Sequence, residues 1–193
     1  MATSSVEICN SALIKLGARR ISALSDDTKP AKLCNEQYDK LRKSVLRAHP
    51  WNFAVARKSL AKTANTPSFE FDNEFALGSD VLRVLSTNLL LDEDWQIEVN
   101  ASSGAKVLVT NSDSVKIKYI KNITDTTIFS PDFEEALALR IASDLAYGLT
   151  QSRTLQNDMW NAFRLLVSEA RSYDAQESQL QEIEANEWID IRW

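Results

Sequence analysis

Ser44-Val45-Leu46-Arg47-Ala48-His49-Pro50-Trp51-Asn52-Phe53 is the stretch on which the architecture turns. Before it, apolar residues recur at helical spacing; after it, short runs alternate. Pro50 disfavours helical geometry in His49, so a helix must end there. Trp51 and Phe53 then fall where a helical part hands over to a β part, and the sequence predicts that they seal that junction.

Upstream, Leu33, Cys34, Tyr38, Leu41 and Val45 form one buried stripe of a helix that starts near Pro30, a residue suited to a first turn. Lys32, Lys40, Lys43 and Arg47 lie nearly opposite, interrupted by Glu36, as a basic face that is solvated or meets the acidic C-terminal region within or between subunits. Before this helix, Ser4 and Glu7 have the spacing of a capping box. Ile8, Cys9, Ala12, Leu13 and Leu16 share a face, and Gly17 offers a left-handed stop.

Downstream, the expected strands are Ser68–Ala76, Val81–Leu85, Trp95–Val99, Lys106–Val109 and Val115–Ile120. Val115, Ile117 and Tyr119 point one way and Lys116 and Lys118 the other. Turn-like Asn100–Gly104 and Asn111–Ser114 suggest an antiparallel meander. Helical signals return at Ser130-Pro131-Asp132. Phe133, Leu137, Ile141, Leu145 and Leu149 follow, beside the small stripe Ala138, Ala142 and Ala146. A last helix begins near Ser152, with Leu155, Met159, Ala162, Leu166, Ala170 and Tyr173 as its seam.

The expected fold class is therefore α+β: an antiparallel helical bundle from both terminal segments (1–66 and 128–193), a central antiparallel β insertion (67–127) and a long C-terminal helix. If continuous to Trp188, that helix would measure about 55 Å, against a body roughly 40 Å across. It would project, carrying Leu180, Ile183, Trp188, Ile189, Ile191 and Trp193 as an apolar partner interface. The alternative is a break near Ser172–Ser178 and a tail folded back on the core.

The 193 residues are enough for one domain, or one domain with a sizeable insertion. Cys9 and Cys34 read as buried thiols rather than a disulfide framework. No apolar run has the length of a membrane helix, and the first residues lack the features of a signal peptide, so synthesis and folding in a cytoplasm are expected. The net charge of −5 conceals segregation. Residues 1–66 carry +7, residues 67–130 carry −5 and residues 131–193 carry −7. Such segregation suits a nucleic-acid surface, or two faces that meet within or between subunits.

Catalytic motifs are scarce. With His49 as the single histidine, no multi-histidine site can be built, and Cys9, Cys34 and His49 lack the spacing of a zinc finger or ribbon. Four glycines offer no phosphate-cradling loop. Asp92-Glu93-Asp94 is the densest acidic cluster, and reads first as a solvated turn. A glycoside or peptidoglycan hydrolase with Glu93 or Asp94 as its acid is the alternative. A general DNA-binding protein is a third reading.

Several stretches together resemble one family: Ile8-Cys9-Asn10-Ser11-Ala12-Leu13 with Leu16-Gly17; Ala31 to Tyr38 with Leu41-Arg42; and His49-Pro50-Trp51-Asn52-Phe53-Ala54 with Arg57 and Leu60. Val81-Leu82-Arg83-Val84-Leu85, Val115 to Tyr119 and Phe129-Ser130-Pro131-Asp132-Phe133 follow, then the helix through Ala146 with Leu149-Thr150-Gln151-Ser152. In order and spacing, from about Val6 to Ala175, these resemble the tail tubular protein A family of short-tailed bacteriophages. The ending Trp-Ile-Asp-Ile-Arg-Trp has no counterpart in the match. The resemblance implies a structural role in the virion tail after assembly in the bacterial host. Twelve copies would form an adaptor ring between a portal and a tail nozzle of the tubular protein B kind, with non-specific genomic DNA passing through its channel. It implies no catalytic residue, metal, cofactor or membrane.

Overall fold

The computed structural model describes residues 4–90 and 93–176, with side chains through Tyr173. Helix α1 spans Ser5–Lys15 and begins on the expected capping box. The Ser4 N–H donates to Glu7 Oε2 at 2.7 Å, and the Glu7 N–H donates to Ser4 Oγ at 3.2 Å. Gly17 stops the helix at φ +64°. There, the Ala18 N–H donates back to the Leu13 carbonyl at 2.9 Å. Helix α2 spans Lys29–Ala48, capped by Thr28 at its start and ended by extended His49.

Two further helices complete the bundle, α3 at Pro131–Thr150 and α4 at Arg153–Gln176. Helix α3 is its centre, packing against α1, α2 and α4. Phe133, Leu137, Ile141 and Leu145 are buried along it, and so is the alanine stripe Ala138, Ala142 and Ala146. The chain passes straight through Gly148 and ends α3 at Gln151, which takes the left-handed conformation at φ 56°. On α4 the seam is rotated from the expected one. Phe163, Val167 and Ala170 are the buried positions, while Tyr173 is 59% exposed. Leu155, Met159, Ala162 and Leu166 pack half-buried against the same core. The continuation of this helix beyond Gln176, and the alternative break, lie outside the described residues.

Six strands form two antiparallel three-stranded sheets. They are β1 (Val55–Ser59), β2 (Asn73–Ala76), β3 (Val81–Thr87), β4 (Trp95–Val99), β5 (Lys106–Thr110) and β6 (Lys116–Lys121). One sheet has the order β1-β6-β3 and the other β2-β5-β4. This departs from the expected meander in two ways. Strands β4 and β5 do pair as a hairpin, but β5 and β6 belong to different sheets. Strand β1, which the division at residue 67 leaves out, pairs with β6 along its whole length. Alternation fixes which side chains turn inward, whereas strand partners are chosen by which apolar faces meet, and that information is non-local.

The inward face of β6 carries Ile117 and Tyr119, packed with Val84 and Val81 of β3 and with Phe75 and Leu108 of the second sheet. On the other face, Ile120 belongs to the helical core, as do half-buried Leu82 and Leu85. Strand β6 thus joins the two cores. At the same seam Trp51, 1% exposed, donates from Nε1 to the Val45 carbonyl at 3.1 Å. It meets Phe133 edge-on with centroids 5.3 Å apart, and Phe53 in turn contacts both Phe129 and Phe133. The junction role expected for Trp51 and Phe53 matches this aromatic cluster.

Candidate interaction surfaces

The four cations expected on α2, Lys32, Lys40, Lys43 and Arg47, are all exposed. Two are already partnered: Lys32 pairs with Asp27, and Lys43 reaches Asp39 at 3.1 Å. Among the described residues, Lys40 and Arg47 form no ion pair. Asp39 also accepts from Arg42 Nη2 at 2.9 Å, and this bond is the main cause that holds its carboxyl below the usual range. The α2 face is therefore interrupted by Asp39 as well as Glu36, and is less basic than its sequence suggests.

Arg42 is the residue the charge count hides. Its side chain is only 1% exposed, between α2 and the chain leaving β6. Nη1 donates to Asn122 Oδ1 at 2.9 Å and also to the Ile123 carbonyl. A guanidinium has five donors in a rigid fork, which suits such divided work.

Of the acidic cluster, Glu93 and Asp94 are among the described residues. Glu93 accepts from Ser112 Oγ and, at 2.9 Å, from the Leu90 N–H. Those bonds hold its carboxyl below the usual range. A general acid in glycoside hydrolysis needs the opposite shift. Asp94 contributes its backbone carbonyl, which accepts from Thr110 Oγ1 at 2.8 Å; Asp92 lies outside the described residues.

A buried carboxylate occurs elsewhere, at Glu74. It accepts from Thr63 Oγ1 at 2.8 Å and from Asn100 Nδ2 at 2.9 Å. Asn100 Oδ1 in turn accepts the Ser102 and Ser103 N–H groups of the β4–β5 turn. The network fastens a loop. No periodicity marks Glu74, because strand β2 is short and its first three residues are all buried.

Cys9 and Cys34 are free and buried, as expected. A hydrogen bond with Cys34, together with burial, pushes the Cys9 thiol up and keeps it protonated. His49 is buried and meets Trp51 edge-on, with ring centroids 4.9 Å apart. Among the described residues, no group of three or more His, Cys, Asp and Glu side chains is placed to hold a metal ion, and no helix is long and apolar enough to cross a membrane.

Between the end of α2 and α4 lies a shallow groove of about 390 Å³, lined by Ala48, Phe163, Arg164, Val167, Ser168 and Arg171. The expected partner residues Leu180, Ile183, Trp188, Ile189, Ile191 and Trp193 all lie outside the described residues.

Compared with known proteins, the chain matches no family model and no curated protein sequence.

Proposed function

We infer that this chain is a structural subunit of a bacteriophage adaptor ring, joining a portal to a tail nozzle around a channel for the genome. The observation that carries the reading is where the family-like stretches meet. His49 to Ala54 and Phe129 to Phe133 lie far apart in sequence. They meet in the aromatic cluster of Trp51, Phe53, Phe129 and Phe133. Stretches resembling one family in order, and also converging in space, are the pattern of a shared framework rather than of scattered apolar likeness.

A head-to-tail ring needs two different complementary faces on each subunit, and the basic N-terminal and acidic C-terminal thirds supply opposite charge. The segment 177–193, with its tryptophans and isoleucines, has the composition of an interface anchor. The ring order of twelve comes from the resemblance.

The test is the mass of the protein alone and after mixing with its portal, by light scattering or native mass spectrometry. A subunit that becomes a ring on the portal supports the reading. Failure to associate with any portal ring, or clearing of cell walls that is lost in Glu93→Gln, overturns it. Deleting residues 180–193 is expected to abolish portal attachment.

A further inference from the structure

The sheet β1-β6-β3 has a composition that its segment conceals. Residues 67–130 carry a net −5, yet β3 and β6 within them contain Arg83, Lys116, Lys118 and Lys121 and not one Asp or Glu, and β1 adds Arg57 and Lys58 from the basic N-terminal third. Lys58 turns to the inner side, where it bonds Asp80 at 2.8 Å and lies over the Tyr119 ring. The other face, which packs on the helical core at Ile120 and is open toward Lys116, is different. Arg57 stands directly opposite Lys118 in the β1–β6 register, with Lys116 two residues along the same face. Arg57 and Lys116 are exposed and Lys118 is half-buried. The remaining neighbours in register are hydroxyls, Ser59 opposite Lys116 and Ser86 opposite Lys118.

Like charges directly across a ladder are destabilising, with Cβ atoms only about 5 Å apart. The usual relief is a nearby carboxylate. Among the described residues none pairs with Arg57, Lys116 or Lys118, and the closest acid along β6, Asp113, is engaged by Lys62 at 3.2 Å. The α2 face offers a contrast, since Asp27 and Asp39 already neutralise half of it. The sheet cations also form a firmer array. They stand on the central strand and its partner, at a spacing of about 7 Å along the chain.

We propose that Arg57, Lys116 and Lys118 form a site for the phosphate backbone of nucleic acid, bound without regard to sequence. An extended row of cations with hydroxyls between them, and with the one adjoining amide, Asn88, already accepting from the Lys116 N–H through its Oδ1, fits phosphate oxygens rather than base edges. An acidic protein surface is the competing occupant. The described part of α4 does not supply one, because Arg153, Arg164 and Arg171 accompany Asp158 and Glu169. The acids of the C-terminal third concentrate in residues 174–193. The site deepens the adaptor reading by locating a contact for passing DNA. The experiment uses the isolated full chain, so its failure leaves ring assembly untouched.

The test is fluorescence anisotropy of two short labelled DNA duplexes of unrelated sequence, titrated with the full chain over a range of salt. Equal affinity for both is expected, weakening linearly in log–log form as salt rises. The triple variant Arg57→Gln, Lys116→Gln, Lys118→Gln should lose about 0.9 of slope for each phosphate contact removed. Lys40→Gln with Arg47→Gln should leave the slope in place. Relief of repulsion predicts that the triple variant melts no lower than the parent. If it does melt lower, the single variant Lys118→Gln is read instead and should lose one contact's worth of slope. Absence of binding at low salt, an unchanged slope in the variants, or sequence preference overturns the proposal. So does a synthetic peptide of residues 174–193 that binds the sheet while DNA does not.

Discussion

Arg42 Nη1 and Asn122 Oδ1, eighty positions apart, are held at 2.9 Å and tie helix α2 to the chain leaving strand β6. The guanidinium is almost fully out of water. Its removal strands the Asn122 and Ile123 oxygens in a place where each unpaired acceptor costs about 1–3 kcal/mol. Arg42→Ala is expected to lower unfolding stability by roughly 2–4 kcal/mol through these two stranded acceptors, since Asp39 stays exposed to water. Lysine should not rescue it, since an ammonium cannot reproduce the fork. Urea denaturation followed at both helical and aromatic signals checks this, and a loss under 1 kcal/mol would show that the tie is ornamental.

Trp51 anchors the other side of the same seam. Trp51→Ala should cost about 3–5 kcal/mol. Trp51→Phe keeps most of the apolar contact, and should cost chiefly the Nε1 bond to Val45, about 1 kcal/mol. Comparable losses for the two variants would mean that packing against Phe133 matters little.

Tyr38 makes the opposite prediction. Its hydroxyl is buried and has no hydrogen-bond partner among the described residues. Burial, foremost, pushes its pKa up to about 12. Because that hydroxyl is desolvated without compensation, Tyr38→Phe is expected to be neutral or stabilising by about 1 kcal/mol. A clear drop in melting temperature would reveal a partner for the oxygen in solution.

Asp80 makes stability depend on pH. A hydrogen bond from Lys58, foremost, and another from the Tyr119 hydroxyl hold its carboxyl below the ordinary 3.8. The folded state therefore binds this proton more weakly than the unfolded state. The stabilisation is complete above the ordinary value and is lost as pH falls through it toward the depressed one. Asp80→Asn should flatten the acid limb of a stability-versus-pH curve while leaving the neutral range parallel to the parent. An unchanged acid limb would assign that dependence to other carboxylates.

Two helix ends separate backbone strain from packing. Gly17 sits at φ +64° with open space where a Cβ would go, so Gly17→Ala should lose about 1 kcal/mol from conformation alone. Gln151 adopts φ 56° without being glycine, so Gln151→Gly should gain up to about 1 kcal/mol. Thermal melts of the two variants should move in opposite directions.

Much of the fold was legible along the chain because its signals are local. Ser4 and Glu7, Gly17, Pro50 and Ser130-Pro131 act within one helical turn, and each marks a boundary that α1, α2 and α3 keep. The alternation of Val115, Ile117 and Tyr119 likewise fixed the inward face of β6. Strand β1 was not legible, because Val55–Ser59 is short and becomes a strand only by lying beside β6.

Of the interaction surfaces, the sequence alone identified the α2 cations, for a helix brings residues three and four apart together. Local spacing also decides how many of them are free, since Asp39 lies four positions before Lys43 and Asp27 five before Lys32. Tertiary structure decided that Arg42 leaves the surface, and that Arg57 of the basic N-terminal third comes to face Lys118 of the acidic middle one. Charge along a chain is a sum over neighbours in sequence, whereas electrostatics acts on neighbours in space. Pairing β1 with β6 gathered cations that the segmental balance had averaged away.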